Sequence, residues 1–151
     1  MANFTFRPAT LLRIREARRD ERRTRLADAQ RAEQLVVQRI AELDAELEAL
    51  RRRCVDAARP GNTVDVDLLT DAARYEMILK LQRQSADQQR QAVLAEVQRR
   101  RAALVAADRE VRVLEKLRET QRRRFDEEEA RKEVKRLDEV AMSRFQNKEA
   151  G

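Results

Sequence analysis

Pro8, Pro60, Gly61 and Gly151 are the only helix-breaking residues in this chain, and their positions restrict what it can fold into. Proline removes a backbone donor and clashes with the preceding turn, and glycine is costly inside a helix. Residues 9–59 and 65–148 contain neither. The break between them, Arg59-Pro60-Gly61-Asn62, is short and polar, so the second tract can fold back beside the first. The pattern predicts an all-α chain. Helix 1 is expected over about 8–59, a hinge over about 60–64 and helix 2 over about 65–148. The two helices should pair as an antiparallel coiled-coil hairpin, a single elongated domain over 1–151 in which helix 2 overhangs at the C-terminus.

Charge decides how much such a chain can bury. Charged residues make up 41% of it and aromatics 3%, with no tryptophan. This composition belongs to long helices and coiled coils, which bury a narrow apolar seam rather than a thick core. With no histidine and one cysteine, neither a zinc site nor a Ser-His-Asp or Cys-His centre can be assembled. Both glycines lie outside the helices, so no phosphate-binding glycine loop exists. The carboxylates mostly have Arg or Lys three or four positions away and no apolar pocket to raise their pKa. The expectation is a non-enzyme with no catalytic residue, no cofactor and no metal ligand.

No apolar run approaches the ~20 residues of a membrane span, so no direct membrane insertion is expected. Met1 to Arg7 lacks the apolar stretch of a signal peptide, which points to the cytoplasm. A lone cysteine, Cys54, fits a reducing compartment and excludes an intramolecular disulfide. The net charge of +6 and pI near 10.2 favour an acidic partner without choosing among nucleic acid, membrane surface and protein.

The seam is clearest over residues 26–57. Leu26, Ala29, Val36, Ile40, Leu43, Leu47, Leu50, Cys54 and Ala57 fall on alternating steps of three and four, with Glu33 the one polar member. Cys54 reads as a small core residue on that seam. Helix 2 should start at Asp65 or Asp67, either of which suits a helix N-terminus. Its first stripe reads Leu68, Ala72, Tyr75 and Leu79, with Leu69, Ile78 and Leu81 beside it. A glutamine-rich weak zone, Gln82–Gln91, follows. The stripe revives at Val93, Val97, Leu104, Ala107, Val111 and Leu114, with Arg100 interrupting.

Folding the chain at residue 61 sets Leu26 opposite the neighbourhood of residue 98, and Leu12 opposite about 112. Helix 1 is then used up, and helix 2 overhangs by about 30 residues, about 45 Å at ~1.5 Å per residue. From Arg118 to Glu133 only Phe125 and Ala130 are apolar; Val134, Leu137, Ala141 and Phe145 then restore a stripe. Pairs such as Glu127/Arg131 and Glu128/Lys132 add only a few tenths of a kcal/mol each. The last turns therefore depend on a partner.

Other features admit two readings. Arg13–Arg25 followed by heptads has the order of a basic zipper, but Glu16, Asp20 and Glu21 interrupt it and no Asn-x-x-Ala-Ala motif is present. A solvated charged face explains it better. Arg122-Arg123-Arg124, followed almost directly by four acids, reads more readily as an exposed patch than as a phosphate clamp. Tyr75 either packs on helix 1 or stands out as a docking anchor. Phe4 and Phe6 either staple the start of helix 1 or insert into a partner.

Two segments carry a resemblance. The start, Phe4-Thr5-Phe6-Arg7-Pro8-Ala9-Thr10-Leu11-Leu12-Arg13-Ile14-Arg15, resembles the opening of the FliJ family. The end is similar to that family's C-terminal signature: Leu114 to Glu119, Phe125, Glu129, Arg131 and Lys135 to Ala141, with Leu137-Asp138-Glu139-Val140-Ala141 its most characteristic piece. The resemblance implies a stalk and chaperone-escort component of the flagellar type III export apparatus. Such a component is peripheral to the inner-membrane face of the basal body. It inserts into the hexameric export ATPase, links that ring to the cytoplasmic domain of the export gate, and handles export chaperones. On that footing the open end is expected to bind the ring through Arg118, Arg122, Arg123, Arg124, Leu137, Asp138 and Glu139, and the resemblance implies gate binding through Tyr75 and Leu79. No nucleic-acid partner is implied. The rival readings are an injectisome stalk, a basic coiled coil that binds nucleic acid, and a homodimeric spacer paired through 26–57.

Overall fold

A computed structural model describes residues 3–149. Two α-helices, α1 (Ala9–Ala57) and α2 (Val66–Glu149), pack against each other, and the described residues contain no strand. Each end of each helix has a local cause. The Pro8 carbonyl accepts from the Leu12 N–H at 2.9 Å, so proline sits at the helix entrance, where its missing donor costs nothing. At the other end, Ala58 N–H closes the last turn on the Cys54 carbonyl, and the Asn62 side-chain amide donates to the Asp56 carbonyl at 3.2 Å. Those bonds occupy carbonyls that a helix terminus leaves unpaired, and α1 stops two residues short of the expected 59. Gly61 then reverses the chain at φ 102°, a conformation L-residues rarely adopt. Of the two candidate caps, Asp65 is the one used. Its Oδ1 accepts from the N–H groups of Asp67 at 3.0 Å and Leu68 at 3.3 Å.

Packing divides the chain into two units to which both helices contribute: Glu21–Val105, and Met1–Asp20 with Ala106–Gly151. In the Glu21–Val105 unit the core is a cluster of Ile40, Leu43, Leu47, Leu50, Leu79 and Ala86, with Val36, Cys54 and Ala72 against it. Every residue of the expected 26–57 seam is buried or half-buried, and Cys54 lies in that packing. The helices run antiparallel, with Arg83 meeting Asp44 at 3.1 Å and Arg100 meeting the backbone of Arg25.

The stripe on the first turns of α2 differs from the expected one. The inward positions are Leu69, Ala72, Glu76, Leu79, Arg83 and Ala86, whereas Leu68 and Tyr75 are exposed. Both candidate stripes share Ala72 and Leu79, so apolar content alone favoured the wrong companions. Glu76 tolerates the seam edge because Lys80 at 2.8 Å and Arg51 at 3.8 Å neutralise it. The glutamine-rich zone does not interrupt the packing either, since Ala86 within it is a core residue. Arg100 keeps its place by hydrogen bonding: Nε to Glu96 at 2.6 Å and Nη1 to the Arg25 carbonyl at 2.5 Å.

The other unit has a smaller core of Phe6, Leu12 and Val111, joined by Phe4, Ala9 and Leu114. Leu12 packs with Val111, beside the expected position 112, and Arg15 meets Glu110 at 2.6 Å. Here the segment before α1 continues the pairing after the helix has ended. The Phe4 ring reaches Phe125, so residues 3–8 cover part of α2 that the helix-only alignment left bare.

Candidate functional site

The continuation of α2 past Phe125 adds no residue to the buried core of its unit. From Ala130 to Phe145 every described side chain is exposed, including Val134, Leu137, Val140, Met142 and Phe145. At ~1.5 Å per residue, Asp126 to Glu149 extends about 36 Å. A helix in this state draws its stability from propensity and local ion pairs, because it has no packed face. The pairs formed are i,i+3: Lys132 with Glu129 at 2.8 Å and Arg136 with Glu133 at 3.1 Å. Lys132 therefore bonds Glu129 rather than the expected Glu128. That hydrogen bond and the Glu129 charge raise the Lys132 pKa, with Glu128 adding a weaker contribution.

The arginines ahead of this tail are split by helix geometry. Arg118 and Arg122, one turn apart, line a groove of 520 Å³ with Phe4, Phe6, Ala9, Leu12, Arg13, Glu16 and Glu119. The floor is apolar and the rim charged. Arg122 lies over the Phe4 ring, its guanidinium carbon 5.6 Å from the centroid, and pairs with Asp126 at 3.4 Å. Arg123 and Arg124 are exposed, each a further ~100° round the helix from the last, so the triplet is not one patch. Leu137, Asp138 and Glu139 are exposed about four turns beyond Arg124. The structure thus brings Arg118 and Arg122 together and leaves Arg123, Arg124 and Leu137–Glu139 on the open helix. Arg13 and Glu16 belong to the same groove and were absent from the sequence-based set. The Phe4-x-Phe6 spacing ahead of Pro8, together with a lone Phe125 in a charged stretch, is the pattern that points to them.

The two residues expected at the gate-binding surface part company. Tyr75 is 44% exposed, and its hydroxyl lies 3.3 Å from Glu46 Oε2, so it is both an accessible aromatic and a tether to α1. Leu79 is 2% exposed and belongs to the core. The exposed apolar side chains near Tyr75 on its side of this helix are Leu68 and Ile78, whereas the Leu79 side chain is taken up by the core.

No helix among the described residues is long and apolar enough to cross a membrane, and no group of three or more acidic, cysteine or histidine side chains among them is placed to hold a metal.

Neither the curated proteins nor the solved structures contain a match to this chain. The family model described as flagellar FliJ protein matches residues 5–150, nearly all of it. The chain therefore belongs to the FliJ family, a family of non-catalytic components with a role in flagellar export.

Proposed function

We propose that this protein is the stalk of the flagellar type III export apparatus, working in the cytoplasm at the inner-membrane face of the basal body. The end formed by residues 3–20 and the far part of α2 enters the hexameric export ATPase. The observation that carries this reading is the bare helix beyond Phe125, with its exposed Val134, Leu137, Val140, Met142 and Phe145. A helix of this length with an unburied apolar stripe is suited to a surface that encloses it. Arg118, Arg123 and Arg124 meet acidic loops of the ring, while Leu137, Asp138 and Glu139 lie deeper along the same helix. Arg122 contributes less, because Phe4 and Asp126 already engage it.

The opposite face of the role is contact with the export gate. Tyr75, with Leu68 and Ile78 beside it, forms that contact, and Leu79 supports it from beneath without touching the partner. Export chaperones are the third class of partner, and no residue set on this chain is assigned to them.

The test is ATP turnover by the cognate export ATPase at physiological salt, with the full chain and with residues 1–125. The shorter chain keeps Phe4, Phe6 and Phe125, so the packing of its unit is retained. Stimulation by the full chain that the 1–125 chain fails to give supports the stalk. Equal stimulation by both removes the tail from the mechanism, and no stimulation by either removes the stalk reading.

A further inference from the structure

In the Glu21–Val105 unit, Arg22 and Arg25 of α1 face Arg99 and Arg100 of α2 across a groove of 380 Å³, completed by Glu96 and Ala103. Four guanidinium groups and one carboxylate line it. Glu96 accepts from Arg99 Nη2 at 2.6 Å and from Arg100 Nε at 2.6 Å, and these two bonds hold its pKa below the ordinary glutamate value, Arg99 contributing first. Arg100 is fixed further by its bond to the Arg25 carbonyl, and Arg25 is paired along α1 with Glu21 at 2.5 Å. Arg22 has no acidic partner among the described residues. One carboxylate therefore positions two guanidinium groups and neutralises only one of them.

We propose that this groove binds a phosphate chain, two or more linked phosphate groups such as inorganic triphosphate or the phosphate tail of a nucleotide. The guanidinium fork matches phosphate oxygens with paired N–H donors, which an ammonium group does not. Donors already held by Glu96 and by the Arg25 carbonyl lose little freedom on binding, which favours affinity. Guanidinium groups from both helices suit several linked phosphates, which carry more negative charge and more acceptor oxygens than one. The groove lies within the ~300–1,000 Å³ usual for small-ligand sites. It contains no aromatic side chain on which a base could stack. That argues against single-stranded nucleic acid as the occupant.

Isothermal titration of the full chain with sodium triphosphate tests this, with orthophosphate and a duplex oligonucleotide run in parallel. One triphosphate per chain is expected, binding more weakly at ~200 than at ~50 mM salt. Arg22→Ala and Arg99→Ala should each weaken it by about tenfold, the loss expected for one charge-assisted phosphate contact. Arg99→Lys, which keeps charge but not the fork, should also weaken it, and Arg31→Ala, on an exposed face outside the groove, should not. Far-ultraviolet circular dichroism confirms that each variant stays helical, which is expected because Arg31 and Arg99 are exposed and Arg22 is only half-buried. Equal affinity for triphosphate in Arg22→Ala, Arg99→Ala and Arg31→Ala would overturn the proposal. So would equal binding of orthophosphate, or duplex binding at these arginines with no triphosphate binding.

Discussion

Phe4 and Phe125 meet with ring centroids 5.7 Å apart and planes tilted by 54°, 121 positions apart in sequence. Arg122 lies over the other ring of the contact, Phe4, at 5.6 Å. Tilted aromatic pairs at this separation are worth about 0.5–1.5 kcal/mol beyond the area they bury. The contact ties the residues before α1 to a stretch of α2 that has almost no other apolar side chain. It also sets where the bare helix begins.

A double-mutant cycle over Phe4→Ala and Phe125→Ala should therefore show a coupling of about 0.5–1.5 kcal/mol in chemical unfolding. Limited proteolysis should cut near residue 7 faster in either single variant than in the parent. Strictly additive effects would mean that the two rings do not support each other in solution.

Burial separates residues of α1 that look alike in sequence. Leu43 is 1% exposed at the centre of its cluster, while Leu35 is 68% exposed. Leu43→Ala should cost about 2–5 kcal/mol, the range for a truncated core leucine. Leu35→Ala should stay within ~0.5 kcal/mol of the parent, as surface changes do. Thermal or urea unfolding monitored by circular dichroism distinguishes the two. Similar losses at both positions would mean that the seam is not the one described.

Much of this arrangement was legible because helix breakers and heptad spacing are local signals. Pro60 and Gly61 marked the turn, Pro8 marked the start of α1, and Leu26 to Ala57 spelled the α1 seam without ambiguity. The first stripe of α2 was not legible in the same way. Leu68 and Tyr75 are more apolar than Leu69 and Glu76 taken together, yet the latter pair faces inward, because Arg51 and Lys80 make Glu76 tolerable there. Ion pairs supplied by another helix leave no periodic trace in the helix that receives them. The same holds for the groove at Arg118 and Arg122. Most of its lining comes from the stretch Phe4 to Glu16, whose long-range partners spacing along one helix cannot reveal.

Tyr75 and Leu79 should respond to substitution in opposite ways. Tyr75→Ala removes an exposed ring and one long hydrogen bond to Glu46, so it should weaken binding to the purified gate domain while unfolding little earlier than the parent. Leu79→Ala creates a cavity in the core and should cost about 2–5 kcal/mol of stability. Below its unfolding temperature, that variant should retain most of its gate affinity. Unchanged affinity in Tyr75→Ala would remove this face from the gate contact.

Acid should loosen the hairpin through two glutamates. Glu76 is held below its ordinary value of 4.5 chiefly by the hydrogen bond from Lys80, then by the charges of Lys80 and Arg51. Glu96 is held below the same value by hydrogen bonds from Arg99 and Arg100. Each carboxylate thus stays ionised to lower pH in the folded chain than in the unfolded one. Linkage then requires their contribution to be fully present above pH 4.5 and to vanish as pH falls through the depressed folded values. Both groups are only half-buried, so water and salt still screen the effect and keep it small. The urea midpoint should accordingly hold steady between pH ~7 and ~5.5 and decline below that, as carboxylates begin to titrate. In a Glu76→Gln, Glu96→Gln double variant the midpoint at pH ~7 should be lower, and the decline on acidification shallower, because two of the groups that drive it are gone. A double variant that declines as steeply as the parent would assign the acid response to other carboxylates. High salt offers an independent check, since it should narrow the difference between parent and variant at neutral pH without moving the Leu43→Ala deficit.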